Sequence, residues 1–363
     1  MRMAAPAADP KSHSSWSTLG LSNGFRANNC FFNSAMQVFM RLEQFKSLPA
    51  PEIDEDATLT QLRDFMSQVY PNPAYKTFDP VGLRDIFTKE TDDSKVVFPN
   101  GVQQDVAEFI NVLLDRTRSS GFLREAWFSK SETGYCMSCN LPSTPHHHPA
   151  SEVHANFPLQ IATDQVFDLP AMIDANFGQE IIDGYACARC PRDIAKLMKT
   201  VAASNPPDIL LVQIVRFAND EKIVNFVDIP FTMNFSSRSY RLHGIIDHKG
   251  STPASGHYTA TVRDNESGQW FRYDDARVEA VHPNAVVTNQ AYYVVYTATT
   301  IDSSSPVGTA SADDVTNASS SDDQHVRRSA RLAEALSTDT ASLSCTERES
   351  RRPRKRRQIH RQG

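Results

Sequence analysis

The sequence predicts an α+β domain, because helical periodicity is confined to the first third and strand patterns crowd the last. After Cys30, the residues Phe32, Ala35, Met36, Phe39 and Met40 recur at three- and four-residue steps. That spacing predicts an amphipathic helix running to about Phe45, with Asn28 and Asn29 as its N-cap candidates. In GVQQDVAEFINVLLDRT, Val106, Phe109, Ile110, Leu113 and Leu114 form one apolar stripe. At about 100° per residue, Asp105 and Glu108 fall together beside that stripe on the polar face. Ile209–Phe217 is nearly continuous and β-branched, the pattern of a buried strand. Four more strand patterns follow: YRLHGIIDH, HYTATVRD, WFRYDD and AYYVVYTA, with a turn at DNESGQ between the second and third.

Composition bounds what this domain does. The 363 residues are 40% hydrophobic and 22% charged, with a mean hydropathy of −0.43. No apolar run approaches the ~18 residues of a membrane helix. Residues 1–15 are Ala-, Pro- and Ser-rich and lack the apolar stretch of a signal peptide, so a disordered N-terminus and neither membrane insertion nor secretion are expected. Residues 16–298 read as one folded body. The exception within it is the exposed loop Leu141–Pro149, whose His146, His147 and His148 read as solvated.

Residues 299–363 are Ser-rich and predicted disordered, ending in the basic run RRPRKRR. Net charge is −6, and residues 301–363 hold 11 basic against 9 acidic residues, so the rest of the chain carries −8. An acidic body with a basic end does not suit a protein whose main surface grips nucleic acid. The basic run reads as a nuclear-import signal, giving a nuclear and also cytoplasmic location; contact of the tail with nucleic acid is the less favoured reading.

Of six cysteines, four form the pairs Cys136-x-x-Cys139 and Cys187-x-x-Cys190, which fit a structural four-thiolate zinc site. Four protein ligands leave no open position for water, so no catalytic metal is expected. Cys345 sits in the Ser/Thr-rich tail and receives no role.

Cys30 remains, at the predicted start of a helix, where unpaired N–H groups and the helix dipole favour a thiolate. A nucleophile there needs a base. His257 follows a Gly/Ser/Pro loop at the start of a strand pattern, and Asp274 and Asp275 lie at the end of the next strand. A hairpin turning at DNESGQ returns Asp274 beside His257, where a carboxylate fixes the imidazole tautomer.

These residues carry a resemblance. GLSNGFRANNCFFNSAMQVF resembles the cysteine box of the ubiquitin-specific protease family, QQDVAEFINVLLD its Gln-Gln-Asp-x-x-Glu-Phe helix, and the stretch from His243 to Tyr296 its histidine box. The similarity spans roughly Leu19–Tyr296, with every landmark in family order. It implies a papain-like cysteine protease fold with a helical thumb (about 16–120), zinc-ribbon fingers (about 121–205) and an antiparallel β palm (about 206–298). It also implies a monomeric cysteine peptidase hydrolysing the bond after the C-terminal glycine of ubiquitin through an acyl-enzyme. Cys30 matches the nucleophile, His257 the base, Asp274 its orienter and Asp275 a supporting position. Asp105 and Glu108 match acidic positions that contact the arginine-bearing ubiquitin tail.

The resemblance breaks at one point. The family pattern Gly-Leu-x-Asn-x-Gly-Asn-Thr-Cys sets its oxyanion Asn five residues before the nucleophile, where this chain has Phe25. Aligning Gly20-Leu21-Ser22-Asn23 leaves two extra residues and makes Asn23 the donor; aligning Gly24-Phe25 passes the role to Asn28 or Asn29. The Gly-Leu-x-Asn order favours Asn23. Two rival readings attach to this decayed box: a weak or inactive ubiquitin-binding pseudoenzyme, and a protease for another ubiquitin-like modifier.

Overall fold

An eight-stranded sheet organises the computed structural model, which describes residues 15–46, 48, 57–69, 76–87, 98–142, 148–161, 167–189, 195–203, 205–218, 221–252 and 255–299. Its strands run in the order Arg277–Val281, Trp270–Asp274, Ser255–Arg263, Arg238–Thr252, Ala291–Ala298, Ile209–Val215 and Phe157–Gln160, with Thr232–Phe235 paired beside the start of Arg238–Thr252. Pairing is antiparallel except where Phe157–Gln160 joins Ile209–Val215. Central register places Ile246 opposite both Ala260 and Tyr293.

Both faces of this sheet are buried, which explains its long apolar runs. Ile246, Val295 and Leu211 join a core shared with the N-terminal helices. Their neighbours Ile245, Val294, Leu210 and Val212 join a second core with Leu169 and Ile173 of the helix Leu169–Ala175.

The helix Cys30–Phe39 lies between the sheet and the helix Val106–Thr117. Phe31 and Phe32 meet Phe109 at ring-centroid distances of 5.8 and 5.1 Å. On the other side, Val38 packs so closely on Gly244 that a Cβ there would lie 3.3 Å from its Cγ1. All ten residues of this helix are buried, so its polar side is covered as well as the apolar side that its periodicity marks. It also stops at Phe39; Glu43–Lys46 is a separate short helix. At the break, buried Arg41 donates to the Gln37 carbonyl and lies over the Tyr273 ring at 4.1 Å.

A second, four-stranded antiparallel sheet orders His148–His154, Phe128–Cys136, Ala195–Ala203 and Gly178–Tyr185. Among the described residues of 121–205, these four strands build the second sheet. Phe157–Gln160 and Leu169–Ala175 return to the large sheet and its second core. No described helix is long and apolar enough to cross a membrane. Cys190, Cys345, His146, His147 and the basic run lie outside the described residues.

Candidate active site

Cys30 is the first residue of its helix and only 6% exposed. Its amide, like the others of that first turn, has no intrahelical acceptor. Asn29 occupies the N-cap position as predicted, but its side chain makes no cap bond. Its backbone N–H instead donates to Asn23 Oδ1 at 3.1 Å. Asn28 does not cap either: it adopts a left-handed φ of 53° and donates to the Gly101 carbonyl at 2.8 Å.

The predicted hairpin forms. Ala260 pairs with Tyr273, and Asp274 Oδ1 lies 2.6 Å from His257 Nε2. With Nε2 held, Nδ1 is the nitrogen left for Cys30. Cys30 and then Asp274 raise the imidazole to about 9, overcoming partial burial that works the other way. Both interactions favour the protonated ring.

Asp275, at φ 51°, turns the chain and binds the nucleophile's own loop. Its Oδ1 accepts from Asn33 Nδ2 at 2.8 Å, its Oδ2 from Asn23 Nδ2 at 2.9 Å, and its carbonyl from the Leu21 amide at 3.0 Å. Gly20 fits beneath this turn because a Cβ there would lie 2.3 Å from the Ala276 carbonyl oxygen. No local pattern marks Asn33, yet a polar residue in a helix buried all round requires partners, and it finds them in Asp275 and the Ser22 carbonyl.

The two surplus residues before Cys30 are absorbed by a turn closed by Ala27 N–H to the Gly24 carbonyl. At its tip Phe25 is 92% exposed, with the Arg26 guanidinium 5.1 Å from its ring centre. The register that keeps Gly20-Leu21-Ser22-Asn23 therefore fits the geometry: Asn23 reaches the site, whereas Asn28 turns away to Gly101.

Asp105 departs from its expected place. It is the N-cap of Val106–Thr117, not a polar-face residue, and its Oδ1 accepts from the Ala107 and Glu108 amides. Its Oδ2 accepts from Tyr292 OH at 2.5 Å. Glu108 is exposed on the first turn. Just before this helix, Gln103 Oε1 accepts from the Gly256 amide at 2.7 Å, a contact the sequence did not signal.

Residues 19–296 match the family described as ubiquitin carboxyl-terminal hydrolase (UCH). The chain belongs to this family.

Among its curated relatives, ubiquitin carboxyl-terminal hydrolase 9 of Saccharomyces cerevisiae is 27% identical over 64% of this chain and 35% of its own length. Ubiquitin carboxyl-terminal hydrolase 25 of Arabidopsis thaliana is 30% identical over 44% of this chain and 25% of its own. The chain thus spans about a third or less of the length of these hydrolases. Among solved structures, Ubp8 in the SAGA DUB module with Sgf11, Sus1 and Sgf73, bound to monoubiquitin, superposes with a TM-score of 0.64 at 20% identity. That match covers 79% of this chain and 71% of the other. The fold is the papain-like fold of ubiquitin-specific proteases. In this chain Cys30 on its helix and His257 on the large sheet meet across a seam between the two.

The four-stranded sheet of this hydrolase-family chain carries the cysteine cluster at the ends of its strands. The sulfurs of Cys136, Cys139 and Cys187 lie within 4.8 Å of one another, with Cys139 and Cys187 at 3.8 Å. Four sulfurs at 2.3 Å around zinc stand about 3.8 Å apart, so this donor set fits a tetrahedral thiolate site. The Cys139 and Ser138 backbone amides pull the Cys136 thiol down to about 7. At Cys139 the Leu141 amide is outweighed by burial and the neighbouring Cys136 and Cys187 sulfurs, which push that thiol up to about 11, so one thiol of the cluster ionises first. A turn holds the first pair, with Asn140 N–H on the Cys136 carbonyl and Asn140 at φ 53°.

Proposed function

We propose that this chain is a thiol-dependent deubiquitinase that hydrolyses the amide bond after the C-terminal glycine of ubiquitin. The observation that carries this reading is the contact series from Cys30 through His257 to Asp274, assembled from three separate elements.

Cys30 Sγ attacks the glycine carbonyl as a thiolate, its proton residing on His257 Nδ1. Charge moves to the carbonyl oxygen, which the Cys30 N–H and the second hydrogen of Asn23 Nδ2 are suited to stabilise. The first hydrogen of that amide is committed to Asp275, which fixes the donor's direction. Collapse of the tetrahedral intermediate breaks the C–N bond, and the imidazolium gives its proton to the leaving amine. Water, deprotonated by His257, then attacks the thioester and releases the ubiquitin carboxylate and the thiol. Throughout, Asp274 holds the ring by Nε2 and stabilises the imidazolium.

Ubiquitin is the partner the family's names and the solved neighbours support. Glu108 offers an exposed carboxylate to the arginine-bearing tail, while the Asp105 oxygens are already engaged by Tyr292 and the helix amides. Zinc on Cys136, Cys139, Cys187 and Cys190 would supply structural crosslinking of the fingers. The run RRPRKRR supports nuclear import, tested by the location of a fluorescent fusion with and without it.

The experiment for the activity is labelling by ubiquitin bearing a C-terminal electrophile. The wild type forms a thioether at Cys30 and Cys30→Ala forms none. Labelling retained in Cys30→Ala, or absent from folded wild type, rejects the proposal.

A further inference from the structure

The strand bearing His257 does not pair continuously with its neighbour. Lys249 pairs with His257 and Thr252 with Ser255, so Gly250 and Ser251 together oppose the single residue Gly256. This bulge decides where the following side chain points, a use of bulges common beside active sites. It is tightly packed: a Cβ on Gly256 would lie 2.2 Å from His248 Nε2 and 2.7 Å from the Lys249 carbonyl oxygen. His248, buried beneath it, is itself fixed by Lys222, whose ammonium donates to the His248 carbonyl and to Gln290 Oε1.

The bulge frees the Gly256 N–H from the ladder. Its acceptor is Gln103 Oε1 at 2.7 Å, supplied from the opposite side of the seam by the segment leading into Val106–Thr117. A second bond crosses nearby, from Tyr292 OH to Asp105 Oδ2. The residue next in chain to the base is thus tied to the helix side, on which Cys30 also lies.

We infer that Gln103 is a positioning residue, which acts through Gly256 to hold the His257 ring against Cys30. The inference rests on the deubiquitinase reading only for its kinetic test. Five titratable groups face His257: Cys30 from its helix, Asp274 and Asp275 from the hairpin turn, His248 from the adjoining strand, and Lys249, its direct partner in that strand. Burial and Lys222 lower His248 to about 4, so it stays neutral in the range tested. Cys30 is the largest influence raising His257, and this influence depends on the distance that Gln103 maintains.

The test compares wild type, Gln103→Ala and Gln103→Glu on the full chain, using a fluorogenic ubiquitin C-terminal amide. Loss of one hydrogen bond to a positioned loop corresponds to about tenfold. Gln103→Ala is expected to lower kcat by about tenfold with KM within twofold. The alkaline limb of its pH profile is expected to move down from about 9. Gln103→Glu, which keeps an acceptor oxygen, restores most of kcat and the limb.

A parallel measurement needs no ubiquitin: the pH dependence of Cys30 alkylation by iodoacetamide, read by mass spectrometry of the Cys30 peptide. It is expected to shift in Gln103→Ala and return in Gln103→Glu. Absence of wild-type turnover would reject the proposed function and leave the alkylation profile to judge Gln103. An unmoved alkaline limb and alkylation profile in Gln103→Ala would overturn the inference. So would a rise in KM alone, which would make Gln103 a ubiquitin contact.

Discussion

Asn33 Nδ2 donates to Asp275 Oδ1 at 2.8 Å, joining the helix that carries the nucleophile to the turn that carries the base's carboxylate. Asn23 takes the other oxygen, so one carboxylate clamps the Cys30 loop, the Cys30 helix and the Asp274 turn together. Asp275→Ala leaves the buried Asn33 amide with weakened pairing, a loss of about 1–3 kcal/mol. Urea unfolding should report that loss, and turnover should fall with it because Asn23 is released.

Asn23 and Asn28 are separated by their partners. Asn23→Ala should lower kcat on a ubiquitin amide by about 10²–10³, the ordinary effect of losing one oxyanion donor, and KM should change little. Asn28→Ala removes only the bond to the Gly101 carbonyl and should lower kcat far less. Equal losses in the two variants would contradict the assignment of Asn23.

The pH profile follows from the raised His257. Its imidazolium persists to about 9, so the step that protonates the leaving amine weakens as pH rises through that value. The stability this group contributes has the same sign: it is present below the ordinary histidine value of about 6.5 and is lost through about 9. Asp274→Asn removes one of the two interactions that raise the ring, and the alkaline limb of kcat/KM should move downward. A limb unchanged in Asp274→Asn would contradict the geometry.

The fingers give a stoichiometric prediction. Elemental analysis of the purified chain should find one zinc per molecule, and Cys136→Ser should reduce it. Chelation should lower the unfolding temperature and weaken ubiquitin binding. Iodoacetamide alkylation of Cys30 should be unaffected, because the cluster lies on the four-stranded sheet and His257 on the separate eight-stranded one.

Much of this site was legible in the sequence because its parts are local. The DNESGQ turn fixes a hairpin, and a hairpin fixes which residues meet, so Asp274 beside His257 followed from spacing. The apolar stripe of Val106–Thr117 was equally local, and each of its five residues is buried. What failed were judgments needing knowledge of the opposite face. Cys30–Phe39 is buried all round because both the sheet and Val106–Thr117 cover it, and periodicity sees only the stronger face. Helical angle sets Asp105 beside Glu108 on one face, but an Asp preceding an apolar stripe also satisfies the N-cap pattern, which is the role it takes. The Gln103–Gly256 and Asn33–Asp275 bonds link residues 153 and 242 positions apart, and no local pattern announces them.

The most direct measurement is steady-state hydrolysis of a fluorogenic ubiquitin C-terminal amide by the full chain, run beside Cys30→Ala. The account predicts turnover by wild type that is abolished in the variant while its unfolding temperature is retained. A folded, zinc-loaded wild type that binds ubiquitin and releases no fluorophore would contradict it.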